Sequence, residues 1–170
     1  MKSGDSIRRL FVGVAIVLLG ADFVTKRIAE GSLLPFPPVQ VVGEWVQLRL
    51  VYNPGAAFGF HLGPWSRWIF LVIAVLAIVM LYRLSRSSPA ADRLRQLSTG
   101  LVAGGAAGNL IDRIISSRGV VDFIDVGIGV HRWPTFNVAD MGVSCGAIAL
   151  AISLWMEDAR RARAEAAPSP

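Results

Sequence analysis

Four long apolar runs constrain the fold of this 170-residue chain more than any other feature. They lie at about residues 10–26, 65–83, 96–114 and 136–156. Each approaches the roughly 20 residues with which an α-helix crosses a bilayer, although the first and third are short. Hydrophobic residues make up 54% of the chain, more than a soluble domain of this size can bury. The pattern therefore predicts an all-α integral membrane protein with four transmembrane helices.

One domain accounts for the four runs, because 170 residues leave little room for a second. We assign residues 1–163 to that domain and expect residues 164–170 to form a disordered tail. A cleavable signal peptide is an alternative for the first run, whose basic start fits one. Asp22 and Lys26 occupy the place of the cleavage site, so we interpret the run as a retained helix.

Basic residues predict the orientation of the runs, because they concentrate in three segments that the positive-inside rule places in the cytoplasm. These are Lys2, Arg8 and Arg9 before the first run, Arg83, Arg86, Arg93 and Arg95 after the second, and Arg160, Arg161 and Arg163 after the fourth. Both termini are then cytoplasmic, and loops at about 27–64 and 116–135 lie on the outer side. The bias is modest, since other basic residues lie on the outer side.

Composition gives little support to other classes of site. The net charge of +5 does not indicate a nucleic-acid partner, because the basic residues flank apolar runs rather than line one polar face. His61 and His131 lack a Cys or Glu neighbour at ligand spacing, so we expect no metal and no cofactor. The single cysteine, Cys145, excludes an internal disulfide, and we expect it to be a small buried packing residue.

Both outer loops contain strand-like segments. Residues 44–52 alternate between apolar and polar side chains, and the turn sequence Asn53-Pro54-Gly55 follows them. Residues 120–126 are rich in β-branched side chains. We therefore expect a small extracytoplasmic β-sheet beside the helices.

Glycines recur at intervals of four in the third run, at Gly100, Gly104 and Gly108. A stripe without side chains lets a partner helix approach closely. Gly142 and Gly146 offer a matching surface on the fourth run. We expect the third and fourth helices to pack here, which would bring their polar outer ends together.

Polar side chains collect at one depth, the outer ends of the runs, where ionisable groups are costly and therefore suggest function. They are Asp22, Lys26, Asn109, Asp112, Arg113, Asp122, Asp125, Asn137 and Asp140. Each also has a structural interpretation: an i, i+4 ion pair for Asp22 with Lys26, for example, or a helix cap for Asn137 with Asp140. Taken together, the carboxylates exceed what capping and pairing require.

Two aspartates that share one proton can activate water against an amide, with one as general base and the other as general acid. Asp140 is favoured for this pair because it begins a helix and projects into the bundle. Its partner is Asp112, Asp122 or Asp125. A strand would direct Asp122 and Asp125 to opposite faces, so at most one of these two faces the site. The residues alone leave the partner open.

Other functions fit the same residues less well. A serine–lysine peptidase would use Lys26 with a serine such as Ser144, but Asp22 lies one helical turn from Lys26. A proton-coupled carrier would place its carboxylates near the bilayer midplane and contain internal repeats, and we find neither. A scaffold protein would leave the cluster of carboxylates without a purpose.

Five blocks resemble the bacterial lipoprotein signal peptidases. They are DFVTK at 22–26, NPGAAFG at 53–59, GGAAGNLIDR at 104–113, VVDFID at 120–125 and FNVAD at 136–140. The blocks occur in the family's order and spacing, and the resemblance covers essentially the whole chain except its last residues. The family fold is also four spans with a small extracytoplasmic sheet.

The resemblance implies an aspartic endopeptidase of the bacterial inner membrane. Its substrates would be prolipoproteins, cut just before a cysteine that carries a diacylglyceryl group, at the outer face. By the family's motifs, Asp122 and Asp140 would be catalytic, and Asp112 would not be a member of the pair. Supporting or substrate-binding roles would fall to Asn53, Asn109, Asp112, Arg113 and Asn137, and a structural role to Asp22 with Lys26. We expect a monomer that also contacts membrane lipids.

Overall fold

The structure, a computed structural model, describes residues 3–55, 62–88 and 92–166. It is mostly helical with one small antiparallel sheet, as predicted. The helices are α1 (Ser3–Ser32), α2 (Ser66–Ser87, preceded by a 3-10 turn at Gly63–Trp65), α3 (Arg93–Ile115) and α4 (Val138–Glu165). The strands are β1 (Val39–Val42), β2 (Val46–Asn53), β3 (Val120–Ile128) and β4 (His131–Arg132).

Helix α3 is the centre of the bundle and packs against each of the other three helices. Its small residues allow this, because a Cβ added at Gly100 or Gly104 would lie 2.8 Å from Phe11 O or 2.7 Å from Ala15 O. At Gly100 and Gly104 the glycine stripe therefore packs against α1, and the expectation that it packs against α4 there is wrong. Helices α3 and α4 do pack closely, as expected, but through the neighbouring face of α3 at Gly105 and through Gly146 of α4. Two close helix contacts on α3 need two faces of small residues. The glycines at intervals of four in the sequence revealed just one of these faces.

Among the described residues, two helical segments are long and apolar enough to cross a membrane: Gly63–Ser87, with a mean hydropathy of 2.3, and Val138–Glu165, with 1.7. Much of their apolar surface is exposed in the isolated chain, as at Leu76, Met80 and Ile148. Helices α1 and α3 contain more charged and polar residues, most of which point into the bundle at its two ends.

The helices extend beyond the predicted runs, since apolar residues mark the middle of a helix and its backbone hydrogen bonds continue into polar turns. Helix α4 runs through Glu165, two residues into the predicted tail, and residues 167–170 lie outside the described residues. The segment 56–61, which holds His61 and part of the second motif block, also lies outside them.

Cys145 is exposed, so the expectation that it is buried is wrong. It borders a groove on α4 beside Ser144 rather than a helix contact.

The sheet has the order β1-β2-β3-β4, with every neighbouring pair antiparallel. Strands β2 and β3 pair Val51 with Asp122, and their register shifts between Leu48 and Val51. Ile124 also bridges to Phe136, just before α4. Sheet pairing thus holds the start of α4 against β3. Strands β1 and β4 were not predicted, because all four residues of β1 are exposed and β4 has two residues.

Candidate active site

The predicted polar residues meet at the end of the bundle next to the sheet. We call this the sheet end, formed by the last turns of α1 and α3, the start of α4, and strand β3. Asp122, the third residue of β3, is 2% exposed. Alternation along the strand points Asp125 away from it, where Arg49 Nε and Arg132 Nε lie 2.9 Å and 2.8 Å from its carboxylate oxygens.

Asp140 lies in the first turn of α4, within a reciprocal capping box. Asn137 Oδ1 accepts a hydrogen bond from the Asp140 amide at 2.9 Å, and Asp140 Oδ2 accepts one from the Asn137 amide at 3.2 Å. This arrangement satisfies two backbone donors that a helix start leaves free. The cap therefore fixes the position from which the Asp140 side chain projects. This side chain is half-buried beside β3.

The side-chain amide of Asn137 joins Asp140 to Asp122. Because its oxygen is occupied by the backbone of Asp140, its nitrogen faces β3 and donates to Asp122 Oδ1 at 2.7 Å. The same nitrogen lies 3.2 Å from Val121 O and 3.1 Å from Asn109 Oδ1. Asn137 is fully buried. The side-chain amide of Asn137 thus contacts both aspartates and helps to place them.

Two further amides hold the aspartates from the other sides. Asn109 of α3 donates from Nδ2 to Asp140 Oδ1 at 2.8 Å. Asn53, at the end of β2, donates from Nδ2 to Asp122 Oδ2 at 3.1 Å, while its oxygen accepts from the Gly55 amide at 3.0 Å. Every polar contact of the two carboxylates that the structure describes is therefore made by an amide group.

Arg113 ties the turn after β2 to the end of α3. Its guanidinium donates to Gly55 O at 2.9 Å and to Asn109 O at 3.0 Å. It also interacts electrostatically with Asp140, Asp122 and Asp112. This placement fits a supporting role at the edge of the site.

Lys26 and Asp22 form the expected i, i+4 ion pair, with Nζ 2.8 Å from Asp22 Oδ2. Lys26 Nζ also lies 2.8 Å from Asp112 Oδ2 and 2.9 Å from Asn109 Oδ1. The ammonium is 1% exposed and its three protons have three acceptors. A serine–lysine peptidase needs an unpaired amine, so this geometry argues against that alternative.

The structure separates the three carboxylates that the sequence left open as partners of Asp140. Asp112 is neutralised by Lys26, and Asp125 by Arg49 and Arg132. Within the described ranges, neither Asp122 nor Asp140 forms a salt bridge. Asp122 is thus the one of the three that remains available for proton transfer.

Electrostatics favour a proton on Asp122 near neutral pH. Burial raises the pKa of Asp122 to about 7, and the negative charge of Asp140 contributes in the same direction. The amides of Asn53 and Asn137 and the charge of Lys26 act against this shift. A buried acid that keeps its proton beside a second carboxyl group is one arrangement that supports general acid–base catalysis.

The sequence did not reveal the role of Arg49 and Arg132. Besides pairing with Asp125, Arg49 donates to Thr135 Oγ1 at 3.1 Å, and Arg132 donates to Glu44 O at 2.7 Å. Arg49 thus ties β2 to the segment before α4, and Arg132 ties β4 to the turn before β2. The alternation of β2 places Arg49 on a polar face, but its partner depends on strand pairing that the sequence does not specify.

A largely apolar groove of about 420 Å³ opens beside Asp140. Trp133, Phe136, Met141 and Val143 line it together with Asp140. A carboxylate at the edge of an apolar groove can meet a substrate that is itself largely apolar.

Comparison with solved structures assigns this fold to a class that includes bacterial membrane enzymes. One such enzyme, determined by the in meso method, superposes with a TM-score of 0.79 and 28% sequence identity. The match covers 88% of this chain and 90% of that one.

Sequence comparison identifies the family. The lipoprotein signal peptidase of Rhodococcus jostii (strain RHA1) is 42% identical over 154 residues, which cover 85% of this chain and 72% of that protein. The lipoprotein signal peptidase of Hydrogenovibrio crunogenus (strain DSM 25203 / XCL-2) is 42% identical over 147 residues, covering 85% and 84%. The family described as signal peptidase (SPase) II matches residues 14–156. This chain therefore belongs to the signal peptidase II family of proteases, which cleave the signal peptides of prolipoproteins.

Proposed function

We propose that this chain is an aspartic endopeptidase that cuts prolipoproteins on the N-terminal side of a diacylglyceryl-modified cysteine, with Asp122 and Asp140 as its catalytic pair. One observation carries the assignment of the pair: two neighbouring carboxylates are held by amides, while the other acidic side chains at the sheet end are paired with cations. Family membership supports the reaction and the substrate class.

The reaction begins with Asp122 protonated and Asp140 ionised. Asp140 takes a proton from water, whose oxygen attacks the carbonyl carbon of the scissile bond, and Asp122 gives its proton to the carbonyl oxygen. Asp140 then protonates the amide nitrogen, the C–N bond breaks, and Asp122 recovers a proton from a hydroxyl of the intermediate. The products are a carboxylic acid and an amine, and both aspartates return to their starting states.

The fixed amides account for the preorganisation that this cycle needs. Asn137 and Asn109 orient the two carboxylates, and neither amide changes its charge during the reaction. Hydrogen bonds from neutral amides hold a carboxylate in position and oppose its protonation less strongly than an ion pair would.

We extend the proposal to the membrane, with all four helices as spans. The charges that lower the hydropathy of α1 are directed inward, since Asp22 and Lys26 are each 1% exposed. The opposite face of α1 is apolar and exposed, with Val17 at 72% and Ile28 at 60%. Helix α3 can be polar because the other helices surround it.

The placement of basic residues supports cytoplasmic termini, with the sheet end at the outer face of the bacterial inner membrane. A lipid-modified precursor already lies in that bilayer, and its cleavage point is then level with the aspartates. The apolar groove beside Asp140 suits the membrane-embedded part of such a substrate. Both aspartates come from one chain, so a monomer in contact with membrane lipids contains a whole site.

The test uses purified protein in lipid or detergent with paired synthetic precursor peptides, one carrying a diacylglyceryl group on its cysteine and one without it. We expect cleavage of the lipidated peptide alone, on the N-terminal side of the cysteine, and a loss of about 1,000-fold or more in Asp122→Asn and in Asp140→Asn. Asp125→Asn is the matched control, because Asp125 is equally buried in β3 but faces two arginines. Wild-type turnover in either dyad variant would refute the assignment of the pair, and equal cleavage of both peptides would refute the substrate.

A further inference from the structure

Lys26 contacts more of the sheet end than an i, i+4 ion pair requires. Its ammonium is 1% exposed and reaches three oxygen acceptors on two helices, which are Asp22 Oδ2 at 2.8 Å, Asp112 Oδ2 at 2.8 Å and Asn109 Oδ1 at 2.9 Å. Each acceptor belongs to a residue that makes a second contact toward one of the two aspartates of the proposed pair.

Two of these second contacts are made to backbone amides. Asp22 Oδ1 accepts from the Ala139 amide at 2.8 Å, and Ala139 directly precedes Asp140. Asp112 Oδ2 accepts from the Val121 amide at 3.1 Å, and Val121 directly precedes Asp122. One ammonium thus holds two carboxylates, and each carboxylate holds the chain one residue before a member of the pair.

The third contact acts on a side chain. An ammonium group can donate but cannot accept, so it fixes the oxygen of Asn109 toward Lys26. The nitrogen of that amide must then face the other way, where it donates to Asp140 Oδ1 at 2.8 Å. Lys26, together with the Asn137 side-chain nitrogen 3.1 Å from the same oxygen, therefore determines which end of Asn109 meets Asp140.

We propose that Lys26 is a positioning residue for both aspartates of the active site, acting through Asp22, Asp112 and Asn109. This inference rests on the proposed function, because it takes Asp122 and Asp140 as the reacting pair. It assigns to Lys26 and Asp22 a part in the placement of the reacting groups in addition to their role in holding the helices together.

The charge of Lys26 provides a readout that packing alone would not move. Burial and the charge of Asp140 raise the pKa of Asp122, and the Lys26 ammonium lowers it. Asp140 and Arg113, which also act electrostatically on Asp122, stay in place in a Lys26 variant, and Arg27 still lies 3.6 Å from Asp112. Loss of the Lys26 charge therefore raises the pKa of Asp122 further, so the alkaline limb of the activity profile should move to higher pH.

Arg95 supplies the matched control. It is 4% exposed and, at the opposite end of the bundle, pairs with Asp92 and Glu157, much as Lys26 pairs with Asp22 and Asp112. Replacement of either cation by methionine removes a buried charge from between two carboxylates. Only the Lys26 variant removes one that is connected to the active site.

The experiment measures kcat and KM against pH for wild type, Lys26→Met and Arg95→Met with the lipidated precursor peptide. For Lys26→Met we expect kcat to fall about 100-fold, KM to change less than about threefold, and the alkaline limb to move upward. For Arg95→Met we expect kcat within about threefold of wild type and an unmoved limb. A kcat loss in Lys26→Met no larger than in Arg95→Met, or a limb that stays in place, would overturn the proposal.

A second variant covers the case in which Lys26→Met does not fold. Asp22→Asn keeps the shape of the side chain but weakens its hold on Lys26, and we expect a kcat loss of about tenfold, clearly larger than that of Arg95→Met. A kcat equal to that of Arg95→Met would reject the positioning role. These outcomes differ from failure of the proposed function, which would appear as wild-type protein that leaves the peptide intact or as an active Asp122→Asn variant.

Discussion

The two ends of the helical bundle are built alike up to a point. At the sheet end, Lys26 lies between Asp22 and Asp112, and it is 1% exposed. At the far end, formed by the last turns of α2 and α4 and the first turn of α3, Arg95 lies between Asp92 and Glu157 and is 4% exposed. The sheet end then adds Asp122 and Asp140, which are held by amides.

The difference shows how one bundle can contain both inert and reactive carboxylates. A cation stabilises the charged form of the carboxylate that it pairs with, and such a pair serves structure. A buried carboxylate held by amides and a neighbouring acid has a fixed position and can exchange a proton. The far end contains the first kind in the described residues, and the sheet end contains both.

The largest effect should come from removing the amide-held carboxylates. We expect Asp122→Asn and Asp140→Asn each to lower kcat by about 10³- to 10⁴-fold, and the double variant to be no worse than either, because the two act as a unit. Steady-state assays on the lipidated peptide measure this. Losses that multiply in the double variant would show that the aspartates act independently.

A smaller loss should follow when the amide between the aspartates is removed and the helix cap is kept. Serine can cap α4 in place of Asn137 but cannot donate to Asp122 at the same distance. We expect Asn137→Ser to lower kcat by about 30- to 100-fold. Its melting temperature should stay within about a few degrees of the wild-type value, because the helix cap is retained. Wild-type kcat in this variant would show that the amide is dispensable.

The pH dependence should report the proton on Asp122. Because its pKa is raised to about 7, the acid ionises above that pH, and kcat/KM should fall about tenfold for each further pH unit. The folded-state pKa lies above the unfolded value, so the contribution of Asp122 to stability is full below about pH 4 and is lost as the pH rises through about 7. Melting temperatures from pH 4 to 8 should therefore fall more steeply in wild type than in Asp122→Asn.

The smallest effect on activity is expected at the far end. Asp92→Asn makes the same chemical change as the dyad variants, and asparagine can still cap α3 as Asp92 does toward the Arg95 amide at 2.9 Å. We expect kcat within about threefold of wild type. We expect a stability loss of about 0.5–1.5 kcal/mol from the weakened ion pair with Arg95, measured by thermal unfolding. A large fall in kcat would mean that the two ends are not functionally separate.

Periodicity and composition predicted the four helices and strands β2 and β3, because apolar runs and alternation are local properties of the chain. They did not predict β1, whose four residues are all exposed and therefore show no alternation of burial. The close contact of the glycine stripe with α1 and the exposure of Cys145 also escaped prediction. Both depend on which helices pack together, and the pattern of residues along one helix does not specify the helix that packs against it.

The candidate site likewise contains some contacts that the sequence predicts and others that depend on the fold. The capping sequence at Asn137 and Asp140 and the spacing of Asp22 with Lys26 are local signals, and the structure has both contacts. The choice among Asp112, Asp122 and Asp125 could not be made from spacing, since it depends on which cation reaches each carboxylate across the fold. Family resemblance favoured Asp122, and the structure pairs the other two with cations.

The central claim is that Asp122 and Asp140 hold one proton between them near neutral pH. Infrared spectroscopy of protein labelled with ¹³C-aspartate can follow the protonated carboxyl band directly, with Asp122→Asn identifying the part of the band that belongs to Asp122. We expect that band to titrate near pH 7 in wild type and at lower pH in Asp140→Asn, where the neighbouring negative charge is removed. A band that titrates near the ordinary aspartate value of about 4, unchanged by Asp140→Asn, would contradict the account.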